Sequence, residues 1–422
     1  MHDINALASE KTHSGIRFMD LALFALYISV IEDLFTFTLS LAGFQTTITD
    51  YISQVGFLLV FVLLIIDLFV EKRNIAPTMI LIVASLVLFF ISYYKYNSFQ
   101  SYIGSTYITF FTNAVLIFYL ATNIKNYEGF FDKMKPFIVF SLIYAVVVYV
   151  ASNVLGVSVD MNIAYAILPA SLASLVIAYR EKKMMYYVYF ALFAILLFIL
   201  GNRGTILILL IFVLSYTMMR KGAFDIKSLV TPLILLGILL LFTFLVVSNL
   251  NLIEELRLFS ILSDKSFFQD NIRLKLWSDG IKFAIENPLS INGAVFDRIF
   301  YFMKYAYTHD IGFYIDETMI AGLYAHNLLV ELIINLGFVF GGILSIYLIY
   351  NILKVLWVHR NRVEFILFVV SIGFIQLMYS NSYITSIWFW FMLGAIYSIL
   401  KNESLKEESF SDSENDSTNE GK

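Results

Sequence analysis

Arg203, Arg273 and His326 are the residues of this sequence best suited to chemistry on an anionic substrate. Arg203 lies in the turn of "LFILGNRGTILILL", between two apolar runs, and His326 opens the apolar run "HNLLVELIINLGFVFGG". A guanidinium binds two phosphate oxygens at once and stays charged at any relevant pH. A histidine can act as a general base near neutral pH. Arg203 and Arg273 could together supply two cations to one pyrophosphate.

Three further polar or aromatic residues lie next to these. Trp277 is one helical turn after Arg273, and Asn327 follows His326 directly. Glu331 lies one turn beyond Asn327 on the same helix face. A carboxylate inside a membrane is costly unless it is buried against a partner. We therefore expect a supporting role, or a hydrogen bond between helices, for Glu331.

Each of these residues also has an ordinary structural interpretation. An arginine at a membrane boundary often anchors a helix, with its stem in lipid and its head at the phosphates. A histidine at a helix start is often only a hydrogen-bonding group. Gly337 and Gly341, four residues apart, are explained by tight helix packing.

The composition indicates a membrane protein. The chain has 422 residues, of which 60% are hydrophobic and 14% charged, whereas soluble domains carry about 25% charged residues. The sequence has no cysteine, which excludes disulfides, thiolate metal sites and cysteine nucleophiles. Its cations are scattered and form no stripe for nucleic acid. Neither a metal site nor a cofactor is predicted, and no cleavable signal peptide is evident.

Apolar runs of about 20 residues predict an all-α polytopic membrane protein with about twelve transmembrane helices. A polar stretch, 1–17, precedes them, and a large loop, 248–325, separates helices 1–9 (18–247) from helices 10–12 (326–400). The acidic tail, 401–422, is expected to be disordered. The spans lie near 18–44, 52–70, 76–93, 102–122, 136–155, 163–179, 184–201, 204–219, 229–247, 326–350, 364–380 and 382–400.

Lysines and arginines concentrate in alternate loops. The positive-inside rule then makes those loops cytoplasmic, along with both termini, and the large loop extracellular. The short loops of the other side carry only Lys95 and Arg203. The cytoplasmic set is Lys72, Arg73, Lys125, Lys133, Lys135, Arg180, Lys182, Lys183, Arg220, Lys221, Lys227, Lys354, Arg360 and Arg362.

The large loop is expected to be partly helical and functional. The stretch "NIRLKLWSDGIKFAIENP" predicts an amphipathic helix near 271–286, which Pro288 ends. Arg273 falls within the apolar side of this helix and breaks its pattern. The acids of the loop show no metal-ligand spacing; they are Asp264, Asp270, Asp310, Asp316 and Glu317.

The region 200–345 resembles the Wzy-type polysaccharide polymerase and O-antigen ligase superfamily of bacterial envelope glycosyltransferases. Arg203 to Leu207 matches an Arg-x-x-x-Leu element of that family. The loop helix matches a second element through Arg273, Trp277, Pro288 and Gly293. A third element, His-Asn followed by glycine, is matched by His326, Asn327 and Gly337. The family often has Gly, Thr or Tyr three residues after that glycine, whereas this sequence has Phe340.

The resemblance implies a metal-independent glycosyltransferase with a GT-C-like architecture in the inner (cytoplasmic) membrane of a bacterium. Its donor would be an oligosaccharide on undecaprenyl pyrophosphate, and its acceptor a sugar hydroxyl. His326 would orient or deprotonate the acceptor, while Arg203 and Arg273 would hold the leaving pyrophosphate. Trp277, Asn327 and Glu331 would contribute to substrate binding. A chain-length regulator is an additional partner found in such systems.

Three alternatives to a polymerase of lipid-linked repeat units stay open. An O-antigen-ligase-type enzyme would use the same site with another acceptor. A flippase or transporter of lipid-linked sugars would use the intramembrane acids Glu32, Asp33 and Asp67, but predicts inverted repeats that the sequence does not show. A structural scaffold would not explain why arginine and histidine gather at one membrane surface.

Overall fold

The protein is an all-α polytopic membrane protein, as the sequence predicts. The computed structural model describes residues 19–27, 58, 62, 75–124, 127, 129–155, 162–200, 202–220, 272–306, 320 and 323–402. Its main helices are α1 (Ala76–Lys95), α2 (Asn97–Thr122), α3 (Phe130–Leu155), α4 (Asn162–Glu181), α5 (Met184–Ile199), α6 (Arg203–Arg220), α7 (Ile272–Glu286), α8 (Phe296–Tyr301), α9 (Leu328–Val358), α10 (Arg360–Met378) and α11 (387–402).

Six of these helices, within the described residues, are long and apolar enough to cross a membrane: α1, α2, α3, α4, α9 and α10. Two shorter apolar helices correspond to α5 and α6. The predicted span 229–247 lies outside the described residues, as do most of 18–44 and 52–70 with Glu32, Asp33 and Asp67. The tail beyond residue 402 also lies outside them.

The helix α4 lies at the centre of the bundle, with 83% of its most apolar 18-residue window buried inside the protein. Small residues of the run "PASLASLVIA" let neighbouring helices approach closely. A second packing centre joins α3, α10 and α11 through aromatic rings. In it Phe130 contacts Phe365, Phe368 and Phe391, with ring centroids 5.0 to 6.0 Å apart.

Charged residues mark one end of the bundle. Glu181, at the end of α4, forms ion pairs with Lys135 of α3 and with Lys183. The Arg180 Nε atom lies 3.9 Å from the Glu364 carboxylate of α10. These residues belong to the loops in which the sequence predicts a cytoplasmic excess of cations. The opposite end carries the start of α6, the end of α1 and Asn327.

The run that the sequence predicts as one span, 326–350, is broken. Gly337 has φ 80° and ψ 160°, a conformation that no α-helix accommodates and that side-chain-bearing residues avoid. The helix α9 therefore consists of a short helix, 328–336, and a long helix, 338–358. At 1.5 Å per residue the long helix spans about 31 Å, enough to cross the hydrocarbon core unaided.

Burial follows the same division. Most residues of the short helix 328–336 are buried, and the others are only partly exposed. Phe338, Val339 and Phe340, at the start of the long helix, are exposed. Exposed aromatic and aliphatic side chains suit lipid contact. We therefore assign membrane crossing to the helix 338–358 and not to the residues around His326.

The loop 288–293 satisfies the backbone groups that the break releases. The Val339 N–H donates to the Pro288 carbonyl at 3.0 Å. The Asn335 carbonyl, which that N–H would contact in an unbroken helix, accepts instead from the N–H groups of Asn292 and Gly293 at 2.9 and 3.1 Å. The Asn292 side chain donates to the Ile334 carbonyl at 2.9 Å. The loop thus replaces the missing helical turn.

The helix α1 fixes the other side of this loop. The Ala294 N–H donates to the Leu88 carbonyl at 3.1 Å, and the Lys95 ammonium donates to the Ile291 carbonyl at 2.7 Å. Gly293 has φ 95°, and a Cβ there would collide with the α1 backbone. The loop therefore lies between α1 and α9 with little room for a side chain at Gly293.

The structure also corrects the interpretation of Gly337 and Gly341 as a helix-packing pair. Gly337 is the break itself. Gly341 lies against the turn of Leu332 and Ile333, which belongs to the same α9 rather than to a neighbouring helix. The spacing of four arises because α9 turns sharply and its two parts touch.

We predict that Gly337→Ala destabilises the protein by about 2 kcal/mol or more. The left-handed conformation is unfavourable for alanine, and the new Cβ would lie 2.9 Å from the carbonyl oxygens of Pro288 and Ser290. Gly342→Ala is the matched control, because a Cβ there meets nothing within 4 Å. Thermal unfolding of the two purified variants in one detergent gives the comparison. Equal melting temperatures would contradict the proposed break.

Candidate functional site

The turn that joins α10 to α11 holds the candidate residues together. We call residues 378–383 the connecting turn. Its Tyr379 carbonyl accepts a hydrogen bond from Arg273 Nη1 at 2.8 Å, and its Met378 carbonyl accepts one from the Asn327 amide at 3.3 Å. Since α7 and α9 both bind this turn, Arg273 and Asn327 are held at one end of the bundle. From the sequence, only a tight turn between the spans 364–380 and 382–400 was predicted, without a functional role.

His326 lies directly before Asn327, the N-cap of α9, in a strained backbone conformation with φ 51°. Its ring lies against that of Tyr324, with centroids 3.8 Å apart. The Tyr324 hydroxyl accepts a hydrogen bond from the N–H of Asn381 in the connecting turn at 3.1 Å. Among the described residues, His326 Nδ1 has no hydrogen-bond partner.

Two effects keep His326 neutral. Burial lowers its pKa to about 4, and the positive charges of Arg273 and Arg298 act in the same direction. The imidazole is therefore uncharged at neutral pH and can accept a proton. Arg273, the predicted phosphate-binding cation, is therefore close enough to His326, the predicted base, to affect its charge.

The indole of Trp277 supports the segment that carries His326. Its Nε1 donates to the Ala325 carbonyl at 2.7 Å, directly before His326. The helix α7, at Ile272–Glu286, closely matches the predicted helix near 271–286. Trp277 and Arg273 therefore connect α7 to both partners of the site, the His326 segment and the connecting turn.

Asn327 is the N-cap of α9. Its side-chain oxygen accepts hydrogen bonds from the N–H groups of Leu329 and Val330 at 3.0 and 3.2 Å. Glu331, one turn further, is fully buried. Its carboxylate accepts a hydrogen bond from the Ser382 hydroxyl and a longer one, 3.4 Å, from the Tyr383 N–H. These contacts favour supporting roles for Asn327 and Glu331.

The helix α6 begins at Arg203, next to the same turn. Asn202 caps it by accepting from the Thr205 N–H at 3.3 Å. The Tyr165 hydroxyl of α4 shares hydrogen bonds with the side chains of Asn202 and Ser380 and lies within electrostatic range of Arg273. The backbone of Arg203 is therefore brought to the end of the bundle that carries Arg273 and the connecting turn.

Asp297 and Arg298, at the start of α8, are buried ionisable residues that sequence reasoning missed. Arg298 stabilises the charged form of Asp297, although burial still raises the Asp297 pKa to about 6. The sequence signal for them was an acid and a base side by side in the apolar stretch "VFDRIF". A helix of six residues is too short for a periodic pattern to predict which of its side chains are buried.

The described residues contain no group of three or more histidine and acidic side chains that could hold a metal ion. The acids of the large loop at positions 264, 270, 310, 316 and 317 lie outside the described residues. The candidate site is instead built from arginine, histidine, tryptophan and amide groups.

Residues 188–346 match the family model described as O-antigen ligase. This segment of the chain is therefore similar to the O-antigen ligase family. It contains Arg203, Arg273, Trp277, His326 and Asn327, which confirms the family resemblance seen in the sequence. No curated protein and no solved structure matches the chain.

The segment that matches the family model does not build the site alone. Tyr165 and the connecting turn lie outside residues 188–346, yet they hold the start of α6, Arg273 and Asn327 in place. The helix α1, which anchors the loop 288–293, also lies outside that segment. The remaining helices therefore form a frame that orients the family residues.

We predict that Asn327→Ala lowers the free energy of unfolding by about 1 kcal/mol, because α9 loses its cap. Asn327→Asp keeps an oxygen acceptor for the Leu329 and Val330 N–H groups and should retain most of that stability. Chemical denaturation of the purified variants measures the difference. Equal losses in the two variants would contradict capping as the source of the stability.

The His326 contribution to stability should depend on pH. Its pKa is about 4 in the folded protein and about 6.5 in an unfolded chain. Between those values the unfolded chain binds more protons, so this contribution is complete above about pH 6.5 and is lost as the pH falls. Relative to His326→Gln, the wild type should therefore lose thermal stability from about pH 7.5 to about pH 5.

Asp297 titrates over a similar range with the opposite sign, because burial raises its pKa. It is present in both proteins and cancels in the difference between their melting temperatures. Parallel melting curves across this pH range would show that His326 does not have a lowered pKa.

Proposed function

We propose that the protein polymerises oligosaccharide repeat units carried on undecaprenyl pyrophosphate. The observation that carries the proposal is the meeting of Arg273, the start of α6 at Arg203, and a neutral His326 at one end of the bundle, inside the segment that matches the O-antigen ligase family model. Arginines suit the pyrophosphate of the donor, and a neutral imidazole suits the hydroxyl of the acceptor.

The proposed step is a single glycosyl transfer. The acceptor hydroxyl oxygen forms a bond to the anomeric carbon of the donor sugar, and the bond from that carbon to the pyrophosphate oxygen breaks. Undecaprenyl pyrophosphate leaves with the electron pair, and the hydroxyl proton passes to His326. Arg203 and Arg273 stabilise the charge that grows on the leaving group. The step requires no metal or cofactor.

Donor binding would strengthen the base. The charge of Arg273 contributes, after burial, to the low pKa of His326. A pyrophosphate bound to Arg273 would offset that charge and raise the pKa of His326 toward the pH of the reaction, where a general base is most effective. His326 would then accept a proton most readily once the donor is in place.

The site is proposed to face the outside of the bacterial inner membrane, with both termini in the cytoplasm. The described loops at the opposite end carry clusters of lysine and arginine, which the positive-inside rule assigns to the cytoplasm. Substrates on polyprenyl tails would reach the site along the bilayer. A chain-length regulator is a further proposed partner.

A ligase that transfers the assembled glycan to a different acceptor is the second candidate, favoured by the description of the matching family. Both reactions use the same donor chemistry and differ in the acceptor. A flippase of lipid-linked sugars is less well supported, because helix breaks at the membrane midplane would be expected. The break of α9 is instead followed by a helix long enough to cross the membrane.

The test is the glycan ladder of cells that lack the gene and carry the wild type, Arg203→Ala, Arg273→Ala or His326→Ala at equal expression. We expect long polymer with the wild type. The variants should reduce polymer by about 100-fold or more and accumulate single lipid-linked repeats on the outer leaflet. Lys282→Ala, on the exposed side of α7, is the matched control and should leave the ladder unchanged.

Two outcomes would separate the alternatives. Accumulation of single repeats on the inner leaflet would contradict an enzyme and indicate a flippase. Long polymer that remains lipid-linked in cells lacking the protein would contradict a polymerase and indicate a ligase.

A further inference from the structure

Three ionisable side chains are buried together beside His326. Asp297 and Glu331 are fully buried and Arg298 is 5% exposed. The Arg298 charge interacts with both carboxyl groups. Burying such groups is costly, and removing one partner would leave an uncompensated charge. The chain therefore maintains this cluster against a considerable desolvation cost.

The surrounding helices fix Arg298 in one position. Its Nη1 donates to the Tyr102 hydroxyl of α2 at 2.7 Å. The Asn335 side chain accepts from the Asp297 N–H at 2.8 Å and donates to the Asp297 carboxylate at 3.3 Å. Asn335 is also the residue whose carbonyl is diverted at the α9 break. The position of Arg298 is thus set by α2 and by the broken part of α9.

A direct series of contacts leads from Arg298 to His326. The Arg298 Cζ atom lies 5.6 Å from the centre of the Tyr324 ring, within the range of a cation–π interaction. The Tyr324 ring in turn lies against His326, with centroids 3.8 Å apart. The Tyr324 ring therefore interacts with both the buried Arg298 guanidinium and the His326 imidazole.

We propose that Arg298 is a positioning residue, which orients the His326 imidazole through the Tyr324 ring and keeps it uncharged through a fixed positive charge. Arg298 is too buried to be neutralised by a bound donor, unlike Arg273 in the proposed function. The importance of His326 for transfer rests on the proposed function, whereas the link from Arg298 to His326 does not. Within the part of the chain that the structure describes, the charged or titratable groups around His326 are Arg273 on α7, Arg298 on α8 and Tyr324 on its own segment. Asp297 and Glu331 interact electrostatically with Arg298, and the Tyr102 hydroxyl accepts a hydrogen bond from it.

An arginine is chemically suited to this position. A guanidinium stays protonated when buried, whereas a lysine loses its proton more easily in such surroundings. Here the two neighbouring carboxyl groups favour a charged lysine as well. Arg298→Lys should therefore keep the charge, and Arg298→Gln should remove it while leaving a polar group of similar length.

The test is a pH titration of His326 by NMR in the full-length protein, labelled with ¹⁵N-histidine and reconstituted in nanodiscs. The chain has five histidines, and His326→Gln identifies the signal of interest. In Arg298→Gln the His326 midpoint should move up toward the ordinary value of about 6.5. In Arg298→Lys it should stay near that of the wild type. The other four histidines serve as internal controls.

A folded Arg298→Gln protein with an unchanged His326 titration would overturn the proposal. If that variant does not fold, Tyr324→Leu and Tyr324→Phe decide, since they keep all the charges of the cluster. Leucine should expose His326 and raise its midpoint, whereas phenylalanine keeps the ring and should not. Equal titrations in these two variants would also overturn the proposal.

The titration needs no substrate, so it is independent of the proposed reaction. A wild type without transferase activity but with the expected titrations would contradict the proposed function and leave the link from Arg298 to His326 standing. Normal transfer by the wild type, together with a His326 titration that the Arg298 and Tyr324 variants leave unchanged, would contradict the link from Arg298 to His326 and leave the proposed function standing.

Discussion

The break of α9 at Gly337 is the constraint on which the rest of the site depends. A continuous helix would have satisfied its own backbone groups and would have run straight out of the membrane. The break instead exposes carbonyl and N–H groups that must find partners, and the loop 288–293 supplies them. This pairing ties the large loop to a transmembrane helix, and α7 and α8 on either side of it are held against the bundle.

The same constraint determines the electrostatics. Asn335 lies two residues before Gly337. Its carbonyl accepts hydrogen bonds from the loop 288–293, and its side-chain oxygen accepts one from the Asp297 N–H. This fixes the buried charges Asp297 and Arg298 close to the short helix that begins after His326. The connecting turn then closes the site from the other side, through the contacts of its backbone with Arg273 and Asn327. Asp297, Arg298 and Glu331 are buried within the protein, so charge interactions among them are only weakly screened.

Much of the architecture could be predicted from the sequence, because apolar runs and amphipathic periodicity depend on local composition. The helix α7 and the apolar spans from α1 to α6 follow from such patterns. The break could not be predicted, since Gly337 lies in an unbroken apolar run and the spacing to Gly341 already had a packing explanation. Hydrophobicity carries no information about a φ angle, and the partner of the break lies more than 40 residues earlier in the chain.

The candidate site was predictable to the extent that unusual residue types marked it. Arg273 and His326 stood out against apolar surroundings, and the structure brings them together. The connecting turn was missed because it acts mainly through backbone groups, which have no signature in sequence. Arg298 was missed because its partners, Tyr102 and Tyr324, come from distant parts of the chain and only the fold brings them into contact.

The most direct test of the central claim is transfer by the purified protein in liposomes that contain an undecaprenyl-pyrophosphate-linked repeat unit, with a chelator of divalent metals present. We predict that the wild type, but neither Arg273→Ala nor His326→Ala, releases one molecule of undecaprenyl pyrophosphate for each new glycosidic bond. Release without bond formation, activity that requires an added divalent metal, or equal activity of these variants would contradict it.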